Sequence, residues 1–142
     1  DKKLVVIPTK TIPQGITAMI NFELTRSADE NEKAMLESLS TVKSGQLTYA
    51  VRDTSIDGKE IKKDNYLGLG DKGLASVGTD MDDMLSEFVD DESELISVYY
   101  GEDIDENKAE ELVSKIEEKF DGVDVELQYG GQPVYYYIVS VE

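Results

Sequence analysis

The chain has 142 residues, of which 31 are Asp or Glu, so acid–base or metal chemistry is open to it only if spacing singles out particular carboxylates. One stretch imitates a calcium loop. Asp53, Ser55 and Asp57 place oxygen ligands at positions 1, 3 and 5, Gly58 falls at position 6 and Asp64 at position 12. Position 8 is Glu60, where such a loop wants an apolar residue, and position 12 lacks the bidentate Glu. The flanks read as strands rather than helices, and a hairpin turn at Asp57-Gly58 accounts for the same residues. A second acidic run, Asp103-Ile104-Asp105-Glu106-Asn107, has Lys108 at position 6 and Ser114 at position 12. Asp103 and Asp105 therefore read as helix-entry residues facing an N-terminal dipole.

Nucleophilic chemistry fares no better. The chain holds no Cys, no His and no Trp, so Ser44 and Ser97 have no imidazole base and no thiolate or imidazole zinc site can form. Lys10 stands beside the start of a helix, where an anion would be welcome. No Gly-rich phosphate loop accompanies it, and an ordinary capped helix is the plainer reading. No catalytic constellation is visible.

The elements that would position these groups follow from periodicity. Leu4 to Ile7 reads as a buried strand. Thr11 and Gln14 resemble a capping box with Pro13 in the first turn, which predicts a helix to about Phe22 burying Ile16, Met19 and Ile20. A second helix is expected from Ala28 to Val42, with Met35, Leu36, Leu39 and Val42 on one stripe and Gly45 past its end. Residues 45–77 read as a meander of antiparallel strands, broken at Asp57-Gly58 and Asp71-Lys72-Gly73. A helix from about Asp80 to Phe88 carries Met81, Met84, Leu85 and Phe88. That stripe reads as core before it reads as an adaptable binding surface. Leu95 to Tyr100 is a strand, Asp105 to Phe120 a long helix and Asp124 to Leu127 a short strand, which makes a right-handed βαβ crossover. Gln132 to Val141 is apolar on both alternating faces, so it reads as a strand interior to its sheet, entered through Pro133 after the Gly130-Gly131 turn.

Charge is distributed unevenly. Asp80 to Glu111 holds fourteen acids against one base, Lys108, within a net charge of −17. Such a balance argues against nucleic acid and anionic lipid surfaces. It suits a basic protein face, or solubility alone. No run reaches the ~18 apolar residues of a membrane span.

Several segments resemble a known family. They are Val5-Val6-Ile7-Pro8-Thr9-Lys10-Thr11-Ile12-Pro13-Gln14-Gly15, Gly45 to Thr54, Ile56-Asp57-Gly58, Tyr99-Tyr100-Gly101-Glu102-Asp103, Gly130 to Tyr135 and Ser140-Val141-Glu142. Together they resemble the C-terminal domain of the bacterial fatty acid kinase ATP-binding subunit, which is a dihydroxyacetone-kinase-like protein of the DAK phosphatase family. The resemblance implies that ATP and magnesium are handled by a domain upstream, with no cofactor in these residues. It implies that the partner is a DegV-like fatty-acid-binding carrier protein, and that the parent is a homodimer through regions outside these residues. It also implies that the C-terminus here is the natural one, while the opening Asp1-Lys2-Lys3 without Met fits a chain cut from a longer one. The second half is similar to the carriers themselves. They carry a His before a Gly-Pro-Gly turn and an earlier Ser-Gly-Thr lipid-head site. Here the turn is Gly130-Gly131-Gln132-Pro133, with neither feature, which argues against direct lipid binding.

The sequence thus predicts an α/β fold, a mixed sheet with helices on both faces and a DegV-like second half. Residues 1–43 form an incomplete N-terminal α/β portion and 44–142 the DegV-like portion. The implied function is a non-catalytic, cytoplasmic docking domain of a fatty acid kinase subunit that holds the carrier. The alternative is a domain that binds an acyl chain in its own right. The candidate partner-binding residues are Asp90, Asp91, Glu92, Glu102, Asp103, Gly130, Gly131 and Gln132, with no catalytic or metal residue.

Overall fold

A computed structural model describes residues 2–142, apart from the side chains of Asp82 and Asp83. The chain divides into two compact units, the first ending at Lys43 and the second running from Ser44 to Glu142.

The first unit is a helical hairpin behind an extended lead. Residues 2–10 adopt no regular structure, and Leu4 and Val6 are 88% and 75% exposed, so the strand expected at Leu4–Ile7 does not form. Extended backbone becomes a strand only when a neighbour takes its hydrogen bonds, and among the described residues no strand pairs with it. Helix α1 (Ile12–Ile20) starts where predicted: Gln14 N–H donates to Thr11 Oγ1 at 3.3 Å, and the Gln14 side chain accepts from Lys10 N–H at 2.9 Å. Its buried side is Pro13, Thr17 and Ala18, not the predicted Met19 and Ile20, which are 66% and 75% exposed. Small side chains are the buried ones, and the large apolar ones are left outside.

Helix α2 (Ala28–Ser38) carries a full capping box between Ser27 and Glu30. It stops four residues before the predicted Val42. The hydroxyls of Ser38, Ser40 and Thr41 each donate to the carbonyl three residues back, at 2.7, 2.9 and 2.9 Å, and close the helix end. Asn31, 5% exposed, ties the interhelical loop, giving its amide to the Glu23 carbonyl and accepting from Glu23 N–H.

The second unit is built on a six-stranded mixed sheet. Its strands are β1 (Lys43–Tyr49), β4 (Tyr66–Gly70), β5 (Gly73–Gly78), β6 (Leu95–Tyr100), β7 (Asp124–Tyr129) and β8 (Tyr137–Val141), in the order β5-β4-β1-β8-β6-β7. Between β1 and β4 a separate hairpin pairs β2 (Thr54–Ile56) with β3 (Lys59–Ile61). Its turn has Asp57 and Gly58 at φ 52° and 78°, the conformation that Asp-Gly favours between twisted strands. Lys43 to Gly45 enter β1 and do not cap α2 as expected.

The expected interior strand is confirmed but shortened. β8 lies between β1 and β6, and all five of its residues are buried. It begins at Tyr137, and residues 132–136 form a loop. β6 pairs antiparallel with β8 and parallel with β7, which it reaches through helix α4 (Glu106–Lys119). Helix α3 (Met81–Leu85) is shorter than the predicted span to Phe88, yet Met84, Leu85 and Phe88 all join the core. Both helices pack on one face of the sheet, against Ile96, Val98 and Tyr100 of β6 and Tyr137, Val139 and Val141 of β8. Leu85 and Ile116 are fully buried there, each stabilising by about 1.5–3 kcal/mol. The other face places Ser97 directly opposite Ser140.

Candidate docking site

The parallel strands β6 and β7 end side by side at Tyr100 and Tyr129. Loops at the carboxyl ends of parallel strands are where α/β sheets engage ligands. Here the two loops are Gly101-Glu102-Asp103 and Gly130 to Tyr136. The Tyr100 carbonyl accepts from Gly130 N–H at 2.9 Å and Gly131 N–H at 3.1 Å. Glu102 N–H donates to the Gln132 carbonyl at 3.1 Å, and Gly101 N–H to the Tyr136 carbonyl at 2.8 Å. Gln132 Nε2 donates to the Tyr99 carbonyl at 2.9 Å. Glycine is required at 101, because a Cβ there would stand 2.6 Å from the carbonyl oxygens of both Gln132 and Tyr135.

Past this strap the chain makes a turn of three residues. Tyr135 N–H donates to the Pro133 carbonyl at 2.8 Å across Val134, whose φ is 72°. That is the rare, strained form of the γ-turn. A β-branched residue at positive φ costs on the order of 1–3 kcal/mol. Val134 is nevertheless 70% exposed, so its side chain gains little from burial in return. Thr48 Oγ1 holds its carbonyl at 3.2 Å. Tyr129 precedes the strap, 66% exposed, with its ring tilted on Tyr100 at 5.2 Å.

Carboxylates surround this end. Burial, then Glu106, Tyr129, Glu110 and Asp105, push the Tyr100 phenol up from its ordinary value. Tyr136 stacks on Tyr49 at 5.0 Å. Burial first, then the Tyr49 hydrogen bond and nearby charge including Asp103, raise its phenol too. An open cavity of about 480 Å³ adjoins, walled by Tyr66, Met81, Leu112 and Tyr137 but also by Asp80, Asp103, Lys108, Glu111 and Lys115.

Of the candidate residues, Glu102, Asp103, Gly130, Gly131 and Gln132 meet at this edge. Asp90, Asp91 and Glu92 do not. They precede β6, while Glu102 and Asp103 follow it, and a six-residue strand spans about 20 Å. Asp90 is also a turn-former: its Oδ1 accepts from Glu92 N–H at 3.1 Å and Ser93 Oγ at 3.0 Å. Asp82 and Asp83 belong to the same acidic stretch, but their side chains lie outside the described residues. Sequence reading missed Val134, Tyr129 and Thr48. The Gly-Gly-Gln-Pro sequence marked a turn, but nothing in it marks positive φ at Val134.

The remaining motifs are accounted for locally. Asp53 Oδ1 accepts from Lys63 N–H at 2.7 Å and its other oxygen lies 3.8 Å from Lys62 Nζ, so the calcium-like run serves its own hairpin. Among the described residues no three acids gather where a metal could sit. No helix among them is long and apolar enough to cross a membrane.

Fold and edge together define an α/β domain with its exposed chemistry on loops at the carboxyl ends of a mixed sheet. The chain belongs to the FakA-like C-terminal family, the C-terminal domains of proteins like the A component of fatty acid kinase, whose model matches residues 1–142. It is similar to an uncharacterized protein of Staphylococcus aureus strain MRSA252, 44% identical over 146 residues, covering 100% of this chain and 27% of that protein. A counterpart in strain USA300 is 43% identical over the same coverage. The chain therefore spans about a quarter of the length of these relatives, at 27%.

Proposed function

We propose that this domain is the docking element of a fatty acid kinase subunit, and that it holds a DegV-like fatty acid carrier while a nucleotide-binding domain elsewhere in the longer protein transfers the phosphoryl group. In this reading ATP and magnesium are handled by that other domain, since these residues include no Gly-rich phosphate loop. The observation that carries the reading is the convergence of Glu102, Asp103 and the Gly130–Gln132 turn on one strapped edge. It offers fixed backbone and negative charge to a basic face, the arrangement that speeds encounter and fixes register. The rival, an acyl chain held by this domain itself, would have to use a cavity such as the one beside Tyr137, and three acids and two lysines on that wall make poor company for a hydrocarbon.

The test is binding of purified carrier, loaded with a long-chain fatty acid, to the intact kinase protein and to the same protein carrying Glu102→Lys and Asp103→Lys. Weakened binding together with reduced acyl phosphate formation is expected. Unchanged binding, or fatty acid co-purifying at one per domain, would overturn the proposal.

A further inference from the structure

We infer that Val134 is the apolar anchor of this docking edge, a side chain held out on a strained turn to enter a pocket in the partner. The inference rests on the docking reading above and names the group on which affinity depends. Three observations meet at one residue. Val134 is 70% exposed at the tip of its loop. Its φ of 72° is one that glycine adopts freely and valine resists, so the backbone alone would be better served by glycine. The loop around it is nonetheless fixed on several sides, by Thr48 at the Val134 carbonyl, by Gln132 on Tyr99 and by the Pro133–Tyr135 bond. A preorganised apolar tip loses little conformational freedom on binding, which is the economy of a strong anchor. Exposed Tyr129, the last residue of β7 before the strap, adds an aromatic of the kind enriched where binding energy concentrates.

The rim defines the occupant. Glu102, Asp103, Asp105 and Glu106 follow β6 on the same edge, where acids outnumber the two bases, Lys108 and Lys115, that line the adjoining cavity with Asp103. The complementary face is therefore a protein surface with a small apolar pocket bordered by Lys or Arg. That rim favours a basic protein face over a bilayer, since anionic headgroups would be repelled.

The experiment compares Val134→Gly, Val134→Ile and wild type in the intact kinase protein, with fatty-acid-loaded carrier as the probe, by surface plasmon resonance and thermal unfolding. Val134→Gly should weaken binding on the order of tenfold, chiefly through faster dissociation, while its unfolding temperature stays level or rises because the strain is relieved. Val134→Ile should bind as wild type. Wild-type affinity in Val134→Gly would overturn the anchor and leave docking by the acidic edge standing. No binding by the wild-type protein would overturn the docking reading and the anchor with it.

Discussion

Thr48 Oγ1 donates to the carbonyl of Val134 at 3.2 Å and so joins β1 to the loop before β8, 86 residues away in sequence. The bond fixes the carbonyl of a residue whose own φ is unfavourable. Thr48→Val keeps the shape and removes the donor. It should cost about 0.5–1.5 kcal/mol in urea unfolding, near the lower end because the site is exposed. The sharper readout is hydrogen exchange at Tyr135 N–H, which closes the turn: exchange should quicken in Thr48→Val and not in Thr48→Ser. Unchanged exchange in Thr48→Val would show that the turn does not depend on this bond.

Gly101 and Gly122 should respond to alanine for different reasons. At 101 the new Cβ would lie 2.6 Å from two backbone carbonyl oxygens, which cannot swing aside as a side chain would. At 122 nothing lies within 4 Å, and the only penalty is φ at 84°. Gly122→Ala should therefore cost about 1–2 kcal/mol, and its loop should keep its contacts. Gly101→Ala should cost about 1–3 kcal/mol and also break the Glu102–Gln132 and Gly101–Tyr136 bonds. Denaturant midpoints give the costs, and amide chemical shifts of residues 130–136 tell whether the loop has moved. Shifts confined to residue 101 would refute the steric account.

Tyr137 sets an alkaline limit. Burial, followed by Tyr66 and Glu111, pushes its phenol up to about 12 from 10.0. The neutral form is the one the fold accepts. Below pH 10 both folded and unfolded chains hold the proton and the side chain contributes in full. Between 10 and about 12 the unfolded chain releases it first, so stability falls as pH rises. Tyr137→Phe should flatten this part of the profile while lowering stability little at neutral pH. Equal alkaline slopes in the two proteins would assign the loss to other tyrosines.

Some local signals suffice to decide a segment, while the early end of α2 shows that local hydroxyls can override the apolar stripe. Leu95–Tyr100 is continuous apolar sequence and is a strand with those bounds. Asp57-Gly58 dictates its turn, and Asp105 caps α4 through Asn107 N–H. Other differences fall where a remote partner decides. The amphipathic pattern of α1 shows two candidate sides, and only packing chooses Thr17 and Ala18 over Met19 and Ile20. The run from Val134 to Val139 is uniformly apolar, so nothing in it marks where loop gives way to strand. That boundary is drawn by Gly101, Tyr99 and Thr48, whose bonds reach across the sheet. The same holds for the acidic stretch. Composition shows its charge, but the passage of β6 through its middle separates Asp90–Glu92 from Glu102–Asp103.

That separation makes a prediction about salt. The Debye length is about 8 Å at physiological ionic strength and about 30 Å at 0.01 M. A partner seated at the Glu102 edge would feel charges about 20 Å away, the length of β6, only when salt is low. Reversal of Glu102 and Asp103 to Lys should slow association with the carrier on the order of tenfold at low salt, and an effect should persist at physiological salt. Reversal of Asp91 and Glu92 should slow it at low salt alone. Asp90 is left intact in this pair because its carboxylate builds the turn, and its loss would mix a folding defect with a change of charge. Stopped-flow association rates across a salt series separate the two pairs. If the Asp91 and Glu92 reversal slows association at physiological salt more than the Glu102 and Asp103 reversal does, the partner sits at the amino end of β6, and the Gly130–Gln132 turn is not its seat.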